Sequence, residues 1–123
     1  MPTMLTWRPA MSTLLAPMSA PLGEFEVLVL LAVMHLGDHA YPPAVRSEIE
    51  RRAQRQVARG AVYVTLDRLE AKRLLMSHLA SGSPGGRPRR NYNVSPRGLR
   101  AVRRALAAVE SMRLGLEPLL DES

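Results

Sequence analysis

The residues Gly85 to Tyr92 read GGRPRRNY and place three arginines beside some of the most flexible backbone in the chain. Arg87, Arg89 and Arg90 carry planar guanidinium forks, which suit two-pronged contact with phosphate oxygens. The glycines remove the Cβ atoms that would hold a backbone away from a ligand surface. The chemistry on offer is neutralisation of an anion rather than bond making. From Ala71 to Val109 there is no acidic residue, and Lys72, Arg73, Arg97, Arg100, Arg103 and Arg104 extend the positive block. With a formal net charge of +6, the expected partners are polyanions, either nucleic acid or an anionic membrane face.

Catalytic patterns are missing from the sequence. There is no GxSxG, no P-loop GK[ST], no cysteine and no convincing setting for paired acids, so an enzyme is not expected, and neither is a cofactor. GSPGG, residues 82–86, lacks the lysine and the strand-to-helix setting of a nucleotide cradle. His35 and His39 have the spacing of two metal ligands on one helix face, but Gly37 lies between them and no HExxH follows. No metal site is expected. The lack of cysteine fits a reducing, cytoplasmic setting. The apolar run Val27 to Met34 is far below the roughly 18 residues of a membrane span.

These side chains need elements to position them. Glu24 and Glu26 follow Gly23 where a first helical turn prefers acids, and Gly37 supplies a stop, so a first helix is predicted over 23–36. The β-branched Val27, Val29 and Val33 leave a strand open there. Pro42 and Pro43 suit the first turn of a second helix, AVRSEIERRAQ. After the link RQVAR, Val62, Leu66 and Leu69 give a third helix, GAVYVTLDRLEAKRL, a buried stripe with Val64, Asp67, Arg68 and Ala71 near the opposite side. Tyr63 falls beside that stripe, as a boundary core residue or a phosphate contact. LLMSHLA and RNYNV flank the turn-rich SGSPGGRPR and read as a hairpin with a long tip. Ser95 and Pro96 start a last helix reaching at least Arg113. Its residues Leu99, Val102, Leu106 and Val109 follow a coiled-coil spacing, and Met112 and Leu116 join them as candidate dimerisation residues. They are either core packing within one chain or a dimer seam, and Arg100, Arg103 and Arg104 either solubilise that helix or touch phosphate.

The fold class is therefore mainly α with a small β-hairpin: a winged helix-turn-helix over residues 22–95, a dimerisation helix and short tail over 96–123, and a disordered N-terminal tail over 1–21. Helix three would enter a major groove and the hairpin would reach a neighbouring groove or the phosphate backbone.

At these residues the chain resembles the PadR-like transcriptional regulators. The likeness rests on LGEFEVLVLLAV opening helix one, AY before helix two, RGAVYVTLDRLEAK on helix three and GGRPRRNYNVSPRG across the wing into the last helix. The resemblance implies a homodimeric repressor bound to double-stranded DNA at a palindromic operator. It places Gly60, Tyr63, Thr65 and Arg68 of helix three, with Arg87 and Arg89 of the wing, at or beside the DNA, and the exposed side of helix three and the basic tip add Arg59, Val64 and Arg90 as expected contacts. The family commonly has Lys-Gly before the first wing strand, Tyr-Gly after helix one and Tyr-Tyr before the last helix. This chain has Lys72-Arg73, Tyr41-Pro42 and Asn91-Tyr92. No aromatic residue follows Tyr92, so an aromatic effector pocket is not expected and the sequence offers no support for a small-molecule effector. The rival readings are a winged-helix protein-interaction module without DNA binding and an RNA-binding protein. The lack of an aromatic stacking platform counts against single-strand recognition.

Overall fold

Helix α1 (Glu24–Leu36) is apolar on nearly every side because it is the centre of the domain. Val29, Leu30, Ala32 and Val33 are buried, while Phe25, Leu28, Leu31 and Leu36 pack at the edge of the same core. The structure is a computed structural model that describes residues 21–80 and 88–121. The expected tail over 1–21, apart from Pro21, lies outside the described residues, as do the tip of the hairpin and Arg87.

After a short 3-10 turn (Gly37–His39) come α2 (Pro42–Ala53) and α3 (Arg59–Ala71). Strands β1 (Leu75–Ala80) and β2 (Arg89–Val94) pair antiparallel from Leu75 opposite Val94 to Ala80 opposite Arg89. Helix α4 (Pro96–Arg113) and a single turn, α5 (Glu117–Leu120), complete the chain. Helix α1 touches α2, α3, β2 and α4. This is the winged helix-turn-helix that the sequence predicts, with α1 as its hub.

Local chemistry explains the boundaries. Glu26 reaches back to accept the Gly23 N–H at 3.0 Å, the one half of a capping box that a glycine N-cap allows. Ser95 Oγ accepts the Gly98 N–H at 3.0 Å and caps α4 behind Pro96. Helix α4 ends at Arg113, and Gly115 turns the chain with φ of +90°.

Helix α3 stops at Ala71, short of the predicted Leu74. Arg73 N–H donates to Glu70 O and Leu74 N–H donates to Leu69 O, both at 2.9 Å. This doubly bonded C-terminal cap requires a left-handed residue, usually glycine. Arg73 takes that role with φ of +65°. Arg73 stands where the resemblance leads one to expect glycine, and occupies the left-handed conformation at a cost of about 1 kcal/mol.

Candidate nucleic-acid interface

Helix α3 is placed by a clamp on the turn before it. Val57 is buried, its N–H donates to Glu50 Oε2 at 2.9 Å, and its carbonyl accepts from Arg46 Nε at 2.8 Å. Arg46 and Glu50 stand one turn apart on α2 and 3.7 Å from each other. Both polar groups of one peptide residue are thus held by α2, which fixes the angle at which α3 leaves. The sequence shows this pair only as a common helix spacing, and nothing in it points to Val57.

Arg59, Gly60, Tyr63, Val64 and Arg68 are exposed on α3. The Arg59 guanidinium lies 5.9 Å from the centre of the Tyr63 ring, within the range of a cation–π contact. Asp67 adds a carboxylate to the same exposed surface. Thr65 does not join them. It is 5 % exposed and sits with Val62, Leu66 and Leu69 on the inner side of the helix. The expected DNA contact at Thr65 is therefore corrected: residues three and four apart share a helix face, and the Val62 stripe takes Thr65 inward.

The hairpin is anchored against the loop between α1 and α2. Tyr92 N–H donates to Ala40 O at 2.9 Å, and Asn91 Nδ2 donates to Asp38 O at 2.6 Å. Asn91, standing where the family's first aromatic would be, is buried and fastens the wing to the 3-10 turn. Tyr92 is buried too, and burial, reinforced by the Asp67 and Glu70 carboxylates, pushes its phenol above the ordinary range. Arg89 packs over Tyr41, 4.1 Å from the ring centre, whereas Arg90 donates to Ser77 Oγ at 2.8 Å. Adjacent strand residues point to opposite faces, so these two arginines flank the hairpin rather than share one side of it.

Pairing sorts the cations. Arg46 meets Glu50, Arg51 and Arg52 both meet Glu48, Arg55 meets Glu24, and Lys72 meets Glu26 at 2.8 Å. Burial raises the Glu26 carboxyl, but Lys72 and the Gly23 N–H outweigh it and hold the group below the usual carboxylate range. Among the described residues, Arg59, Arg68, Arg73, Arg89 and Arg90 have no carboxylate within 4.0 Å, and neither do Arg97, Arg100, Arg103 and Arg104 of α4. The α2 cations are thus engaged by the protein's own carboxylates, while those of α3, the hairpin and the first turns of α4 remain available to an external anion.

Helix α4 divides lengthwise. Val102 is 2 % exposed in the core of its own chain, and Leu99 is half-buried. This corrects the expected seam, since Val102 cannot reach a second copy. Leu106, Val109, Met112 and Leu116 are exposed, and α5 adds Leu119 and Leu120. Leu106 and Val109 also line an apolar groove of about 680 Å³ between α1 and α4, together with Leu28, Leu31 and Leu74. Arg97 and Arg104 line this groove as well, so the acid-free block is distributed over more than the wing.

The model of the transcriptional regulator PadR-like family matches residues 30–104, from the centre of α1 through the wing into α4. The chain belongs to this family. Its members are transcription regulators rather than enzymes. Among solved structures, a PadR family transcription regulator from Clostridium difficile has 22% identity and a TM-score of 0.65, covering 80% of this chain and 99% of its own. A PadR family regulator from Eggerthella lenta has 23% identity and a TM-score of 0.60, over 97% of this chain and 99% of its own. The S. aureus MepR-DNA complex is similar at 18% identity and a TM-score of 0.55, covering 82% of this chain and 66% of its own. No curated protein matches the chain. Among the described residues of this PadR-like regulator, no helix is long and apolar enough to cross a membrane, and no group of three or more His, Cys, Asp or Glu could hold a metal ion.

Proposed function

We propose that this regulator binds double-stranded DNA as a homodimer on a palindromic operator and acts as a repressor. The observation that carries the reading is the sorting of charge: the arginines of α3 and the hairpin have no carboxylate within 4.0 Å, while those of α2 are paired with one. Desolvating an already paired cation gains little from a phosphate, whereas an unpaired one releases condensed counterions. Arg59, Arg68, Arg89 and Arg90 would hold the backbone, with Arg87 at the tip. Tyr63 and Val64, exposed between Arg59 and Arg68, would meet base edges, Val64 against a thymine methyl.

A second copy would cover the exposed apolar row of α4 and α5. An uncovered row of this kind marks an interaction surface, and two-fold pairing would set two α3 helices on half-sites about 34 Å apart. Selection of bound fragments from genomic DNA, followed by gel shifts with Arg89→Ala/Arg90→Ala, tests the reading. The double variant should weaken binding to every fragment alike. A protein-interaction module would keep its partner in that variant, and preferential binding to structured RNA over duplex competitor would favour the RNA reading.

A further inference from the structure

The face of the hairpin that carries Arg90 also carries Ser77 and Leu79 of β1 beside Tyr92, as the strand register requires. Arg90 Nη1 donates to Ser77 Oγ at 2.8 Å, and Ser77 Oγ donates in turn to Glu70 Oε2 at 2.5 Å. A serine hydroxyl has one proton and two acceptor lone pairs. Its proton is committed to Glu70, so the oxygen turns a lone pair toward Arg90 and its role as acceptor is fixed. Glu70 belongs to the last turn of α3. Two hydrogen bonds therefore tie a wing cation to the helix beside which it must work.

Glu70 is not itself within 4.0 Å of the guanidinium. The serine between them transmits orientation while keeping the carboxylate out of direct contact with the guanidinium. Arg90 is exposed, and only one of the five donors of a guanidinium is used by Ser77. The remaining fork faces solvent.

We infer that Ser77 and Glu70 are positioning residues that hold the Arg90 guanidinium at the junction of α3 and the hairpin, ordered in advance for a duplex phosphate. The inference rests on the DNA-binding reading. An arginine ordered before contact does not lose side-chain freedom on binding, and returning that cost to the binding step corresponds to an affinity loss of about 2- to 12-fold.

The test is fluorescence-anisotropy binding to a short mixed-sequence duplex, titrated with KCl, for the full chain and for Ser77→Ala, Ser77→Thr, Arg90→Ala and Ser77→Ala/Arg90→Ala. Arg90→Ala should weaken binding and reduce the salt slope by about 0.9 for each subunit, because a phosphate contact is lost. Ser77→Ala should weaken binding by about 2- to 12-fold for each subunit with the slope unchanged, since the charge remains. Ser77→Thr, which keeps the hydroxyl, should bind as the parent does. The double variant should match Arg90→Ala alone, whereas a folding defect from Ser77→Ala would weaken it further. Ser77→Ala binding as tightly as the parent or more tightly, or losses that add in the double variant, would overturn the inference. In those cases the parent still binds with a steep salt dependence. A parent that shows no salt-dependent binding removes the DNA reading and this inference together.

Discussion

Gly98 stands in the first turn of α4, where helix propensity alone argues for alanine, by up to about 1 kcal/mol. The surroundings argue the reverse. A Cβ at Gly98 would lie 2.2 Å from Leu74 O and 2.9 Å from Val94 Cγ1, against 3.4 Å for ordinary contact. The helix would have to withdraw by more than 1 Å, the difference between those values. Leu74 O accepts the Ser95 N–H at 3.0 Å, and Ser95 Oγ donates to Arg73 O at 2.8 Å. Withdrawal stretches both bonds and leaves buried groups unsatisfied, which costs about 1–3 kcal/mol, and overpacking adds a similar amount. After the propensity gain is subtracted, Gly98→Ala should destabilise the domain by about 2–4 kcal/mol and lower Tm by about 10 °C or more. Gly60 is an internal control. It also lies in a helix, yet nothing stands within 4 Å of its added Cβ, so Gly60→Ala should hold or raise stability. Urea unfolding followed by circular dichroism measures both. A Gly98→Ala protein as stable as the parent would refute the packing argument.

Three further outcomes follow from the same geometry. Arg73→Gly relieves a left-handed residue with φ of +65° and should stabilise the domain by about 0.5–1 kcal/mol in urea melts. Val109→Glu/Met112→Glu places charge in the exposed apolar row and should yield a folded monomer in light scattering, whereas an unchanged mass would exclude that row as the dimer seam. Glu24 and Glu26 have carboxyls held below their ordinary range, so their stabilisation is fully present above the unfolded-state pKa, about 4.3, and is lost as pH falls through the lower folded-state value. Acid unfolding should therefore begin below about pH 5, and Glu26→Gln should flatten the curve. Parallel acid-unfolding curves for parent and variant would count against the Lys72 pair.

Much of the fold is written in local signals. Gly23 with Glu26, the paired prolines at 42 and 43, and Ser95 with Pro96 act within a turn of where they stand, so the starts of α1, α2 and α4 are legible one by one. The site is less so, because its parts meet only through tertiary contacts. Thr65 looks like a surface residue by type, but its spacing from Val62 and Leu69 places it inside. Val102 fits a dimer seam by period, yet the first turns of α4 lie against Leu74 and Val94 at Gly98 and spend that residue on the core. Arg89 and Arg90 look like one cluster until strand alternation separates them toward Tyr41 and Ser77. The grip of Arg46 and Glu50 on Val57 has no sequence signature, since it depends on how the turn folds back.

The most direct test of the account is the affinity of the full chain for duplex DNA as a function of salt. In the proposed dimer Arg59, Arg68, Arg87, Arg89 and Arg90 from two subunits would neutralise ten phosphates, and the slope of log affinity against log salt should be about −9, a loss of roughly five orders of magnitude between 50 and 200 mM. A slope near zero, or equal affinity for selected genomic fragments and random competitor, would contradict it.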